Sequence, residues 1–312
     1  MTLGFCTGWS EERLGFAAAA GFDCLELGVG PGTSLPLEGS PEGQLERVRD
    51  LCALRGVEVA TAFCGVPHLS PDPAERARAR RDFTLALRSC RKLGATIVAT
   101  NAGGDPTTRH RQQLDRYREQ FGEYARVAEG EGVRIAIENC PSHGGYPVGI
   151  GNLGFGPELW EALFDAVPSK AIGLEFDPSH LVFLMIDPLR ALRGAGDRVF
   201  AFHAKDTEVN RDGLARYGCF GRQLMAEGEY REGTWDFGWW RFRIPGWGDL
   251  DWKELFRGLV DVGFDGHVII EHEDPVFRGE RHDEGLCRAR DFLRPWVPAR
   301  RAAGARDRPP GR

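Results

Sequence analysis

The stretch Glu131-Gly132-Val133-Arg134-Ile135-Ala136-Ile137-Glu138-Asn139 ends one long helical pattern, opens a short apolar run and closes it on a carboxylate. Behind it, Arg111–Glu131 repeats apolar residues at helical spacing, and Gly132 suits a left-handed helix cap. The run Arg134–Glu138 is apolar on both faces, as a buried parallel strand should be. Working outward, the same unit recurs. Strand-like runs are Leu3–Cys6, Cys24–Leu27, Val57–Phe63, Thr96–Thr100, Arg134–Glu138, Ile172–Asp177, Val199–Ala204 and Val268–Glu271. Helical patterns follow at Glu11–Ala20, Glu42–Arg55, Pro73–Leu93, Arg111–Glu131, Pro157–Val167, Pro188–Leu192, Trp252–Val262 and Glu284–Leu293. Gly21, Gly56, Gly94, Gly132 and Gly263 each stand between a helical pattern and the next strand.

Eight strand–helix units in succession predict an α/β fold, a (β/α)8 TIM barrel, over an open doubly wound sheet. No Pro/Gly-rich linker divides the chain, so residues 1–296 read as a single barrel domain. Two regions break the pattern. A long aromatic-rich insertion, about 207–246, follows the seventh strand. It carries Tyr217, Phe220, Tyr230, Trp235, Phe237, Trp239 and Trp240. Such a segment can serve as a lid, a subunit contact or local packing, and we expect it to shape the substrate mouth. Residues 297–312, rich in Arg and Pro, read as a disordered basic tail.

The chain has 312 residues, 42% hydrophobic, with a net charge of −6. That balance gives no general attraction for nucleic acid or an anionic membrane. No apolar run is long enough to span a bilayer, and residues 1–5 lack the features of a signal peptide. A cytoplasmic location is expected. The eight cysteines form no Cys-x-x-Cys pair and read as free, mostly buried thiols.

In a barrel of this kind the loops at the C-terminal strand ends build the active site. Four late strands end in metal-ligand types: Ile137-Glu138-Asn139, Phe176-Asp177-Pro178-Ser179-His180, Phe202-His203-Ala204-Lys205-Asp206 and Ile270-Glu271-His272-Glu273-Asp274. Strands five to eight are neighbours, so Glu138, Asp177, His203 and Glu271 are expected to converge on one divalent ion. Three carboxylates and one imidazole favour Mn²⁺, Mg²⁺ or Co²⁺, with Zn²⁺ less suited.

These runs, together with Pro245-Gly246-Trp247-Gly248-Asp249-Leu250-Asp251-Trp252, resemble the xylose-isomerase-like sugar isomerase/epimerase superfamily from about Leu3 to Trp296. The resemblance implies that Glu138, Asp177, His203 and Glu271 bind metal. It implies that Glu138 and Glu271 also exchange protons with opposite faces of the substrate. It implies that His180 and Arg243 touch substrate. The long insertion before Arg243 departs from the family pattern.

The chemistry agrees with those residue types. A cation on a carbonyl and its neighbouring hydroxyl stabilises an enediolate, and a carboxylate removes the adjacent proton. Isomerisation or epimerisation of a sugar follows from where the proton returns. The same base supports a lyase or hydratase acting on 3-keto-glycosides, as in C-glycoside-deglycosidase-like members. A non-catalytic binding subunit and a multi-metal nuclease fit the residues less well. A homo-oligomer or partner subunit is compatible with the insertion.

Other residues carry two readings. Glu175 and Lys205, each two positions from a ligand on its strand, are expected to pair inside the barrel; Lys205 is also a substrate-binding candidate. Glu26 either meets a substrate hydroxyl or makes a salt bridge. His68, in the loop after the third strand, and His143, after Glu138, are candidates for substrate contact, and His143 for acid–base work. Asn101-Ala102-Gly103-Gly104 resembles a phosphate-cradling turn only weakly.

Overall fold

Gly132 ends α4 (His110–Glu131) at φ 65°, and β5 (Arg134–Glu138) begins two residues later. That left-handed turn costs little without a Cβ, and it feeds each helix back onto the sheet. Gly21, Gly56, Gly94 and Gly263 repeat it before other strands, with φ between 69° and 93°. The computed structural model describes residues 1–39, 41–142, 149–224, 231 and 233–298.

Eight strands close into a barrel: β1 (Thr2–Thr7), β2 (Cys24–Gly28), β3 (Glu58–Phe63), β4 (Ile97–Thr100), β5, β6 (Ile172–Phe176), β7 (Val199–Ala204) and β10 (His267–Ile270). The order is β1-β10-β7-β6-β5-β4-β3-β2, with every neighbour parallel. The predicted (β/α)8 barrel is therefore the fold. Helices α1 (Glu11–Ala19), α2 (Gln44–Leu54), α3 (Pro73–Ser89), α4, α5 (Pro157–Ala166), α6 (Pro178–Phe183), α7 (Pro188–Ala195), α8 (Arg211–Tyr217), α9 (Trp252–Asp261) and α10 (His282–Leu293) complete the chain's order. Apolar strand and helix side chains share one large core cluster. α9 shows the scale: Trp252, Leu255, Phe256 and Leu259 are buried, each worth roughly 1.5–3 kcal/mol in apolar burial. Inside the barrel, Phe200 fills space that Gly173 leaves open; a Cβ on Gly173 would lie 2.6 Å from the Phe200 ring.

The excursion after β7 is ordered where described. β8 (Asp206–Val209) pairs antiparallel with β9 (Trp240–Arg243), and α8 lies between them in sequence. Buried Asp206 accepts hydrogen bonds from the Thr207, Gly246 and Leu250 amides and from the Trp252 indole, which ties both ends of the excursion to α9. Trp239 and Trp240 are wholly buried and cluster with Phe183, Phe237 and Phe242. Trp240 stacks on Phe183 of α6 with ring centroids 4.0 Å apart. Of the three roles left open for the segment, Trp239 and Trp240 take local packing, because α6 presents an aromatic face to the hairpin. Tyr230 and the tail from residue 299 lie outside the described residues.

The eight cysteines, all among the described residues, form no disulfide; Cys24, Cys52, Cys64 and Cys90 are buried and Cys219 is exposed. Among the described residues no helix is long and apolar enough to cross a membrane.

Candidate metal centre

β5, β6, β7 and β10 are consecutive around the barrel, so their C-terminal ends meet at one rim. Glu138 ends β5, Asp177 follows β6, His203 lies in β7 and Glu271 follows β10. One ligand atom from each lies within 4.8 Å of all the others.

Local structure aims each of them. Asp177 caps α6: its Oδ1 accepts the Ser179 amide at 2.8 Å, which leaves Oδ2 for the centre. Asn139 clamps β5 to β6, donating to the Asp177 carbonyl at 2.8 Å and accepting the Asp177 amide at 2.7 Å. Asn101, just after β4, donates to Glu138 Oε2 at 3.1 Å. Glu138 Oε1 lies 3.5 Å from His203 Nδ1 and 3.6 Å from His180 Nε2. Glu271 Oε2 lies 3.2 Å from His203 Nδ1.

Two atoms test whether a cation fits. Asp177 Oδ2 and His203 Nδ1 are buried and make no hydrogen bond. A buried polar atom that makes no hydrogen bond is costly, and both of these lie in the ligand cluster with only charged neighbours beside them. The residues present therefore fit a divalent ion held by three carboxylates and one imidazole.

Lys205 supplies positive charge beside the cluster. Its Nζ lies 2.6 Å from Glu271 Oε2, 2.9 Å from Glu273 Oε2, 3.2 Å from Asp177 Oδ2 and 3.3 Å from His180 Nε2. The expected Glu175–Lys205 pair is corrected. The β6–β7 ladder shifts register between Leu174 and Glu175 and pairs Glu175 with Ala201. That places Glu175 in a lower layer than Lys205, which stands four residues beyond Ala201, just past the end of β7. Glu175 lies instead 3.4 Å from His203 Nε2. Glu26, 3.3 Å from the same nitrogen, makes the salt bridge that was one of its two readings.

The electrostatics follow from these neighbours. Burial alone would raise Glu138, but His180 and His203 hold it well below the usual carboxylate range. Burial opposes Glu271 as well, yet the Lys205 ammonium brings it down to about 2. Burial and then the charge on Glu26 push Glu175 well up. Burial disfavours a charged His203, but Glu175, Cys6 and Glu26 raise it well above the ordinary histidine value.

The remaining candidates divide. His180 joins the cluster, 3.3 Å from Asp177 Oδ2, with its ring edge-on to Phe183 and Phe242. His68 does not offer itself to substrate, which corrects that expectation. It is wholly buried, with Nδ1 3.1 Å from Tyr124 OH and Nε2 2.9 Å from Thr100 Oγ1. Phe83, Phe121 and Tyr124 surround its ring, and burial lowers its pKa to about 3. Arg243 is buried between two carboxylates, donating to Asp274 at 2.9 Å and to Glu208 at 2.5 Å. It thereby ties the hairpin to the loop after β10. His143 lies outside the described residues. Asn139 and Glu273 had no role of their own from sequence, and Asn101, read only as part of a weak phosphate-cradling turn, instead holds Glu138. The signal for Glu273 was its spacing, two residues beyond Glu271.

Residues 14–296 match the family model described as xylose isomerase-like TIM barrel. The chain belongs to that family. Inosose dehydratase of Clostridium perfringens (strain 13 / Type A) is 31% identical over 308 residues, covering 91% of this chain and 89% of its own length. A D-psicose 3-epimerase crystal structure with D-fructose superimposes with a TM-score of 0.70 at 18% identity, covering 95% of this chain and 99% of that one. The IOLI protein, solved with a bound zinc atom, gives a TM-score of 0.71 at 18% identity, covering 95% and 98%. At these identities the two structural likenesses show the fold.

Proposed function

We propose that this chain is a divalent-metal-dependent enzyme that removes a proton from carbon next to a carbonyl in a sugar or a related cyclic polyol. The convergence of Glu138, Asp177, His203 and Glu271 carries the reading. The oxygen-rich donor set favours Mn²⁺, Mg²⁺ or Co²⁺, while the zinc bound in the IOLI structure makes Zn²⁺ the comparison to run. When bound, the ion supplies the positive charge that stabilises a negative oxygen developing on the substrate.

The protein's own groups do the proton work. Glu271 is the ligand most open to solvent, with a quarter of its side chain exposed, against 7% or less for the other three. It is the base we assign. Lys205 fixes its orientation through the 2.6 Å contact. Glu138, on the other flank of the cluster, is the group that returns a proton in an isomerase or epimerase. In this reading His180, 3.3 Å from Asp177 Oδ2, holds a substrate oxygen, and Arg243, paired with Asp274 and Glu208, braces the hairpin in place of the substrate contact that the resemblance implied.

The inosose dehydratase relative favours a second reading, in which proton removal is followed by loss of a neighbouring hydroxyl. Elimination from a 3-keto-glycoside is the same chemistry with a larger leaving group. One experiment separates them. Metal-loaded protein is incubated in deuterated water with monosaccharides, inososes and 3-keto-glycosides. Deuterium gained by a rearranged sugar of unchanged composition supports the first reading. Release of water or an aglycone supports the second. No exchange with any of the three classes would overturn both.

A further inference from the structure

The His203 ring has two unlike sides. Nδ1 faces Glu138 and Glu271 in the cluster. Nε2 faces down into the barrel, toward Glu26 at 3.3 Å, Glu175 at 3.4 Å and the Cys6 thiol at 3.7 Å. None of the lower groups is among the four clustered ligands. All the same, Glu26 and Glu175 are buried charged residue types, which a fold places inside only with partners.

The strands are built to bring them there. The β2–β3 ladder shifts register between Leu25 and Glu26, which sets Glu26 against Thr61. The β6–β7 ladder shifts at Glu175. Such irregularities re-aim side chains next to functional sites. Glu26 is then fixed at both oxygens. Thr61 donates its hydroxyl to Oε2, and the Cys6 thiol donates to Oε1 at 3.3 Å. A carboxylate held this firmly can hold an imidazole in turn.

We propose that Glu26 is a positioning residue for the metal centre: it accepts the Nε2 proton of His203, fixes that tautomer and so presents Nδ1 to the ion. The inference rests on the metal reading above. Glu175 and Cys6 close the layer around Nε2 and Thr61 anchors Glu26. Outer partners of ligating histidines set ring orientation and ligand basicity, and their loss typically costs about 10–100-fold in metal affinity. The device also explains why an acidic residue stands inside the second strand, far from the four ligands in sequence.

The test uses the intact chain and zinc alone. In zinc-loaded wild type with ¹⁵N-labelled histidine, long-range proton–nitrogen spectra should show His203 protonated at Nε2 and ligated through Nδ1. Zinc affinity, measured by chelator competition, should fall about 10–100-fold in Glu26→Leu. Glu26→Gln, which keeps an oxygen acceptor, should recover most of that loss. Thr61→Val should show a smaller fall. Ligation through Nε2 would overturn the proposal without any variant. So would unchanged affinity in a folded Glu26→Leu, or an equal loss in Glu26→Gln. Wild type that binds no zinc at all would instead sink the metal reading and this inference with it.

Discussion

His68 and His203 are both buried histidines, and both stood out in the sequence as candidates for chemistry. Their surroundings differ in kind. His68 sits among aromatic rings, and its nitrogens meet two neutral hydroxyls. Burial therefore dominates and keeps it neutral, with a pKa of about 3. His203 is equally buried, but Glu26, Glu138, Glu175 and Glu271 surround it. Charge outweighs burial there, and its pKa is raised. A histidine in a loop after a barrel strand is thus a weak signal. What sets the two apart is the number of carboxylates the fold brings to each.

The largest effect should come from removing the cation. Chelation should abolish activity, and Mn²⁺, Mg²⁺ or Co²⁺ should restore it, with elemental analysis giving one ion per chain. Full turnover in a metal-free preparation would erase the contrast between the two histidines. Next, Glu271→Gln should lower kcat about 10²–10⁴-fold while the protein folds and still binds metal. Hydrogen exchange at the substrate's α-carbon should fall in parallel. If His143→Ala loses exchange and Glu271→Gln keeps it, with metal in both, the base has been assigned wrongly.

Third, Trp240→Ala should cost about 3–5 kcal/mol of stability, as expected for deleting a buried aromatic. Denaturant unfolding would measure it. Metal content of the folded fraction should be unchanged, because Trp240 packs on Phe183 and not on the ligands.

The last contrast concerns His68 and is read as a slope, small per pH unit. Its folded pKa lies below the ordinary value of 6.5, so the folded state binds fewer protons than the unfolded chain. The stability it contributes is fully present above that value and is lost as pH falls toward about 3. The loss is at most about 1.4 kcal/mol per pH unit. Replacement by Phe should flatten that part of the acid unfolding curve relative to wild type. Identical slopes across this window would show that His68 is not held neutral.

The barrel was legible because parallel strands, buried on both faces, leave short continuous apolar runs between helical patterns. Its glycine caps were legible because a left-handed turn favours one residue type. The four-residue cluster was legible because each ligand stands at the end of its own run. The Glu175–Lys205 pair was misread because strand spacing gives the direction of a side chain but not its height in the barrel. A register shift sets that height. Composition did not say which surface each aromatic residue of the excursion meets: Trp240 stacks on Phe183, while Phe242 on the same strand lies against His180 and Lys205.

The sequence by itself determined the order of strands and helices, the closing of eight units into one barrel and the residue types at the rim. Those follow from local periodicity and from backbone limits on glycine, which act over a few residues. Only the tertiary structure decided which buried acid serves which cation. Burial and charge depend on groups far apart in the chain: His203 meets Glu26 across 177 positions and Lys205 meets Glu271 across 66. Coulombic partners are chosen by distance in space, and that distance exists only once the barrel has closed.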